Sequence, residues 1–280
     1  MSAVRDVVAR ALAEDLGVFG DLTAGLVPAQ ATVRATIAAR SAGVVAGRLA
    51  ATEAFSSVDA GITVAWRLGD GDRVGPGTVI ATVAGPLASV LSAERTVLNL
   101  LGHLSGIATL TRRYADGAGP HTRVRDTRKT TPGLRALEKA AVRAGGGVNH
   151  RASLSEGILV KDNHLAGLTI TEAVTRSKQR WPGQACEVEC DTLEQVVTAV
   201  DAGADMVLVD NMTPDEVGEA VHVVDGRVPV EVSGGVTLDT IGTYAAAGAD
   251  LVAVGALTHS APVLDIGLDL KDAPCSSPST

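Results

Sequence analysis

Aromatic side chains are scarce in this sequence: two Phe, two Trp and two Tyr among 280 residues. So few rings cannot form a base-stacking platform. With 24 Lys+Arg against 32 Asp+Glu, a formal net charge of −8, the chain is not expected to be a general nucleic-acid binder. Cysteine is also rare. Cys186, Cys190 and Cys275 are too few for a disulfide framework. No stretch reaches the roughly 18 uninterrupted apolar residues that a membrane span needs. The opening MSAVRDVVARALAEDLG lacks the continuous apolar core of a secretory signal. These absences lead to the expectation of a soluble protein in a reducing cytoplasm. The 46% hydrophobic content excludes disorder for most of the chain, and the length suits one large α/β domain or two smaller ones.

What is present divides near residue 105. The first part holds short β-type runs, ATVRATIAAR from Ala31, GITVAWRL from Gly61 and TVIATVAG from Thr78, with a Gly/Asp/Pro turn cluster, GDGDRVGPG, between the last two. This segment resembles the hammerhead of biotinyl- and lipoyl-like carriers. It has no lysine between Gly61 and Ser89 to carry a prosthetic group, so it reads as scaffold. A long amphipathic helix follows from about Leu87 to Tyr114, with Leu91, Leu98, Leu101, Leu104 and Ile107 on one stripe and Arg95 inside it. The division expected is an N-terminal α/β domain over 1–105, a β/α barrel over 106–264, and residues 265–280 returning to the first domain. The tail from Ala273 to Thr280 reads as disordered.

From Thr122 onward, apolar strands alternate with helical segments and end at Asp126, Lys161, Glu189, Asp210, Ser233 and Gly255. TLEQVVTAVDAGADMVLVDN from Thr192 and TLDTIGTYAAAGADLVAVGA from Thr237 are near-repeats offset by 45 residues. Repeated α-then-β units read as a parallel β/α barrel, whose active site lies at the strands' C-terminal ends. Almost every strand end here is chemically capable.

Charge concentrates at the same place. Residues 121–161 contain nine Lys+Arg and three acidic residues in a protein that is acidic overall. Arg135, Lys139 and Arg143 repeat at i, i+4, i+8 and read as a solvated helix face, but DTRKTTPG and NHR lie in loops. A basic pocket in an acidic protein concentrates small polyanions, and arginine forks fit carboxylate and phosphate. The loops SGG (Ser233, Gly234, Gly235) and VGALTHS after the last two strands read as a phosphate cradle, with a helix opening near Leu238. In CEVEC, alternation turns Glu187 and Glu189 toward the barrel interior and packs Cys186 and Cys190 against helices. Two thiols i, i+4 along a strand do not fit a zinc site.

These blocks together resemble quinolinate phosphoribosyltransferase, the carboxylating nicotinate-nucleotide pyrophosphorylase family of NAD biosynthesis. The resemblance runs from EDLGVFGDLT (Glu14 to Thr23) through AERTVLNLLGHLSGIAT (Ala93 to Thr109), DTRKTTPGLR (Asp126 to Arg135) and GGGVNHR (Gly145 to Arg151). It continues through LVKDNH, EVE, LVDN and SGG to AVGALTHSAPVLDIGLD (Ala253 to Asp269). It implies an open-faced, hammerhead-like N-terminal domain, an incomplete barrel of about seven strands, and a homodimer in which Arg95 reaches the partner's barrel. Arg95, Arg128, His150, Arg151 and Lys161 would surround the dicarboxylate of quinolinate. Arg128 and Lys129 would meet phosphoribosyl pyrophosphate, Thr127 would be a further substrate-binding residue, and Ser233, Gly234, Gly235, Gly255 and Ala256 would cradle the 5′-phosphate. Glu189 and Asp210 would hold the ribose hydroxyls and magnesium, directly or through water; no organic cofactor is implied. Lys161 is the candidate proton donor to the decarboxylated ring carbon. Two alternatives remain: a Schiff-base role for Lys161, and a paralogue acting on another pyridine carboxylate.

Overall fold

The computed structural model describes residues 2–271, so the predicted disordered tail and Cys275 lie outside the described residues. Two compact units divide the chain: Met1–Leu110 with Thr131–Gly145 and Ser260–Thr280, and Thr111–Thr130 with Gly146–His259.

The first unit begins with α1 (Ser2–Leu16) and the strands β1 (Thr32–Ala39) and β2 (Gly43–Val44). It continues with α2 (Arg48–Val58), β3 (Thr63–Trp66), β4 (Arg73–Val74) and β5 (Val79–Pro86). The three β-type runs form β1, β3 and β5, and β1 and β5 pair antiparallel from Thr32↔Pro86 onward. The turn cluster holds the short β4, which pairs with β2. The helix α3 (Leu87–Ala118) has 32 residues, about 48 Å at 1.5 Å per residue, and Leu98, Leu101, Leu104 and Ile107 of its predicted stripe are buried. Gly106 has a packing reason: a Cβ there would meet the Pro262 carbonyl oxygen at 2.1 Å. Only glycine lets the 260s segment lie against the helix.

The second unit contains β6 (Arg123–Arg125), and the first unit's α4 (Arg135–Ala144) follows it in the chain. Next come β7 (Ile158–Val160), α5 (Ile170–Arg180), β8 (Cys186–Cys190), α6 (Leu193–Asp201), β9 (Met206–Asp210) and α7 (Pro214–Val224). The chain finishes with β10 (Val230–Ser233), α8 (Ile241–Ala246), β11 (Leu251–Ala253), α9 (Ala256–His259) and β12 (Ile266–Lys271). β12 belongs to the first sheet, whose order is β12-β1-β5-β3. The units differ from the sequence-based division mainly at Thr131–Gly145, read as barrel, which clusters with the first unit, as do the short stretches 106–110 and 260–264. With it, Lys139 is buried at 3% exposure, against the expectation of a solvated basic face.

The second unit's sheet is parallel, in the order β6-β11-β10-β9-β8-β7. In a flat sheet, β6 and β8 would lie about 19 Å apart at ~4.8 Å per strand. Yet Arg125 Nη1 of β6 is 3.8 Å from Glu187 Oε1 of β8, so the sheet is rolled and its inner face is a barrel interior. The implied seven strands are six plus one bridging residue: Val148 pairs in parallel with Arg125 and donates to the Val124 carbonyl at 2.8 Å. The barrel is therefore incomplete.

Local chemistry starts the helices directly after the strand loops. Thr169 and Thr213 cap α5 and α7 in capping boxes with Glu172 and Glu216, Pro214 opens α7, and Thr192 caps α6 by accepting from Gln195 N. Each cap ends a loop at the strands' C-terminal side, where the chemically capable residues gather.

Candidate active site

Alternation along the strands sorts the inward side chains into layers drawn from alternate strands, as in other β/α barrels. Arg125 (β6), Glu187 (β8) and Glu231 (β10) form a charged layer. Next toward the C-terminal ends come Leu159 (β7), Leu208 (β9) and Ala253 (β11), an apolar floor. Thr127, Glu189 and Ser233 follow, then Lys161 and Asp210.

A cavity of about 230 Å³ opens on that floor, lined by Leu159, Leu208 and Ala253 below and by Thr127, Arg128, Lys129, His150, Arg151, Lys161, Glu189, Asp210 and Ser233 around it. Nine residues predicted from the sequence are thus brought together. Gly234 and Gly235 continue from Ser233, and Gly255 and Ala256 follow β11. Arg95 is exposed on α3 in the first unit and is not among the lining residues.

Hydrogen bonds within and between the loops hold several of the lining residues. Thr127 Oγ1 accepts from Lys129 N at 3.0 Å, and Thr258 Oγ1 donates to the Lys129 carbonyl at 2.8 Å. His164 Nδ1 accepts from Lys161 N at 3.0 Å, and Lys161 Nζ is paired with Glu189 Oε2. Asn211, in the left-handed region at φ 58°, donates from Nδ2 to Asp210 Oδ2 at 2.7 Å and from its backbone to the Ser233 carbonyl at 2.9 Å. Gly234, at φ +98°, leaves room for it: a Cβ there would meet Asn211 Oδ1 at 2.3 Å.

The electrostatics favour anions. Among the described lining residues, Arg128, Lys129, Arg151 and Lys161 stand beside two carboxylates, Glu189 and Asp210. Arg151 is lowered from the usual guanidinium range by burial and then by the positive charge of Arg128. Its Nη1 donates to the Gly157 carbonyl at 2.8 Å, while its buried Nε has no partner. Two neighbouring guanidiniums, one with a buried unsatisfied donor, form a site for a bound carboxylate or phosphate.

The structure revises several expectations. Asp126 is not a ligand-bearing strand end. It is fully buried, accepts from His150 N at 2.8 Å and Asn149 Nδ2 at 2.5 Å, and so holds the NHR loop in place. The helix expected near Leu238 starts at Ile241 after a turn over Thr237–Thr240, so the SGG cradle consists of backbone in left-handed glycines rather than a helix end. Cys186 and Cys190 are buried free thiols, as expected; burial raises both, Cys190 to about 12. Arg125, Glu231 and Asn211 were not picked out from the sequence. The E-x-S spacing of VEVS, which repeats the alternation of CEVE, was the available signal for Glu231.

Comparison with known proteins agrees with this geometry. Residues 107–269 match the profile described as quinolinate phosphoribosyl transferase, C-terminal domain, and residues 21–105 its N-terminal domain. The chain is 44% identical over 277 residues to the nicotinate-nucleotide pyrophosphorylase [carboxylating] of Mycobacterium leprae, covering 96% of this chain and 97% of that protein. It is 43% identical to the probable enzyme of that name from Bacillus subtilis, covering 92% of this chain and 90% of the other. The solved nicotinate-nucleotide pyrophosphorylase of Francisella tularensis superposes with a TM-score of 0.94 at 35% identity over 96% of both chains. The chain belongs to the quinolinate phosphoribosyltransferase family.

Proposed function

We propose that the chain transfers the phosphoribosyl group of phosphoribosyl pyrophosphate to quinolinate and decarboxylates the adduct, giving nicotinate mononucleotide, pyrophosphate and CO2 for NAD biosynthesis. The observation that carries this reading is the cationic excess around Arg128 and Arg151 on an apolar floor. A flat aromatic ring with two carboxylates suits it: the ring lies on Leu159, Leu208 and Ala253, and the carboxylates meet His150, Arg151, Arg128 and Lys161.

The pyridine nitrogen attacks the anomeric carbon as pyrophosphate leaves. Glu189 and Asp210 face the positive charge that develops on the ribose, as carboxylates do in glycoside chemistry. Arg128 and Lys129 bind the phosphates, Thr127 supplies a hydroxyl, and Ser233, Gly234, Gly235, Gly255 and Ala256 line the 5′-phosphate. Loss of the 2-carboxylate leaves its electron pair on a carbon next to the quaternised nitrogen, and Lys161 supplies the proton that this carbon takes up. Glu189 and Asp210 also offer the hard carboxylate oxygens that magnesium prefers, in the cavity where the pyrophosphate would sit. Bound there, the ion would neutralise charge on the leaving pyrophosphate. Lys161 engages Glu189 in an ion pair, which favours the proton-donor role over a Schiff base.

The finer assignments belong to the same reading: a homodimer, a cytoplasmic setting, and Arg95 supplied by one copy to the other's site. Arg95 is exposed on a helix face between buried neighbours, Ala93 and Thr96. Mixing inactive Arg95→Ala and Lys161→Ala proteins tests it: hybrid dimers regain activity if Arg95 acts across the interface and stay inactive if it does not. The reaction itself is tested by incubating the protein with quinolinate, phosphoribosyl pyrophosphate and magnesium and measuring nicotinate mononucleotide and CO2 together. Equal amounts support the reading. Nucleotide formed from nicotinate but not from quinolinate would point to a different pyridine carboxylate.

A further inference from the structure

Beneath the apolar floor lies the charged layer, which the reaction as written does not use. Glu231 is completely buried, Glu187 is 7% exposed, and Arg125 Nη1 is paired with Glu231 Oε2, lies 3.8 Å from Glu187 Oε1 and donates to Met206 Sδ at 3.3 Å. His150, a cavity-lining residue, joins this layer: its Nε2 is 2.9 Å from Glu187 Oε2. The ligand-type atoms of His150, Glu187 and Glu231 lie within 4.8 Å of one another, close enough for a shared metal ion. A guanidinium already serves as the cation for these carboxylates, which argues against a metal.

We propose that Glu187 and Glu231 are positioning residues for the substrate-binding His150. Glu187 orients the imidazole from below, and Glu231, anchored by Arg125, orients Glu187. The inference rests on the assignment of His150 to the pyridine dicarboxylate.

Three observations support it. First, a carboxylate only accepts, so Glu187 fixes Nε2 as a protonated nitrogen and settles the ring's orientation before substrate arrives. Second, Glu187 Oε1 and Glu231 Oε1 are buried and have no hydrogen-bond partner as long as both carboxyls are ionised. One proton held by the pair satisfies both oxygens. Burial, followed by the charge of Glu187, pushes Glu231 up to about 9, so Glu231 is the neutral acid and donates to Glu187. Third, His150 borders open space on two sides, the substrate cavity being one of them. A second cavity, of about 410 Å³, lies at the seam between β7 and Val148 and is lined by Arg125, Asn149, His150, Glu156, Ile158 and Glu187 among others. Between the two cavities, the hydrogen bond to Glu187 orients the ring and the backbone bond to Asp126 fixes the chain that carries it. An imidazole already held in its binding orientation loses little rotamer freedom when the substrate docks.

The test is steady-state kinetics on the full chain, with both Michaelis constants determined for each variant and thermal melting as the fold control. His150→Ala is expected to raise the KM for quinolinate at least about tenfold. The isosteric Glu187→Gln is expected to raise it about tenfold, with kcat and the KM for phosphoribosyl pyrophosphate within about twofold of wild type. Added to His150→Ala, it should do nothing more, because the two act through one ring. Glu231→Ala should mimic Glu187→Gln, and Glu231→Gln, a neutral donor of the same shape, should restore the quinolinate KM.

A Glu187→Gln effect equally large in the His150→Ala background overturns the inference. So does an unchanged quinolinate KM in a Glu187→Gln protein that melts like the wild type. If Glu187→Gln does not fold, the Glu231 pair decides, and failure of Glu231→Gln to restore KM is the contrary result. A quinolinate KM unmoved by His150→Ala would instead overturn the assignment of His150.

Discussion

Two charged layers lie on either side of one apolar floor, built from the same residue types, yet they differ in balance. Below the floor, the cation Arg125 and the imidazole of His150 pair with the two carboxyls of Glu187 and Glu231. Above it, Lys161 and Glu189 pair, and the described cavity lining holds four basic residues, Arg128, Lys129, Arg151 and Lys161, beside two carboxylates, Glu189 and Asp210. Sequence alternation alone places both sets inward. What separates scaffold from binding site is the balance of charge, since a cavity whose cations outnumber its carboxylates favours an anionic ligand.

That contrast can be broken from either side. The largest effect is expected above the floor: Lys161→Ala should lower kcat by at least about 10³-fold while leaving the melting temperature near wild type, checked by turnover and calorimetry. Below the floor the pattern reverses toward stability. Arg125→Met removes the cation from the buried Glu187 carboxylate and its acid partner Glu231 and should destabilise by about 3–5 kcal/mol in denaturant unfolding. Between the layers, Leu208→Ala opens a void under the cavity and should destabilise by about 2–4 kcal/mol, with a smaller loss of quinolinate affinity.

Glu231 adds a pH signature to the lower layer. An acid raised from 4.5 to about 9 by folding binds its proton more tightly in the native state, so its burial erodes stability as pH climbs from about 4.5 to 9. Glu187 is held below its usual range: burial opposes this, but the hydrogen bonds from His150 and Glu231 and the charges of His150 and Arg125 prevail. Its contribution is therefore lost as pH falls. Replacing Glu231 by Gln should flatten the alkaline-side loss, by at most about 1.4 kcal/mol per pH unit, measured as unfolding free energy across that window. At the small end, the exposed Arg227–Asp201 pair, 2.9 Å apart, should be worth less than about 1 kcal/mol when Arg227 is replaced by Ala.

The upper layer was largely legible in the sequence because it sits at strand ends. A short apolar run ending in a polar residue shows both the strand and the direction of its last side chain, as at Lys161, Glu189 and Asp210. The 45-residue near-repeat made the parallel sheet legible in the same way. The lower layer was not legible. Arg125 and Glu231 are 106 positions apart and meet only because the sheet rolls, a long-range event that local pattern does not carry. The Thr131–Gly145 segment was misread for a related reason. Its amphipathic period predicts α4, but not that it packs with the first unit and buries Lys139. Asp126 reads like its neighbours at strand ends, and its role emerges only from the backbone it accepts from.

Calorimetric titration of the wild-type protein with quinolinate and with nicotinate tests most directly whether the excess of positive charge above the floor makes the site. The two rings share shape and stacking area and differ by one carboxylate. Quinolinate binding at least about tenfold tighter, with the difference lost in Arg151→Ala, is the predicted result. Equal affinity for the two, or a preference untouched by Arg151→Ala, would contradict the account.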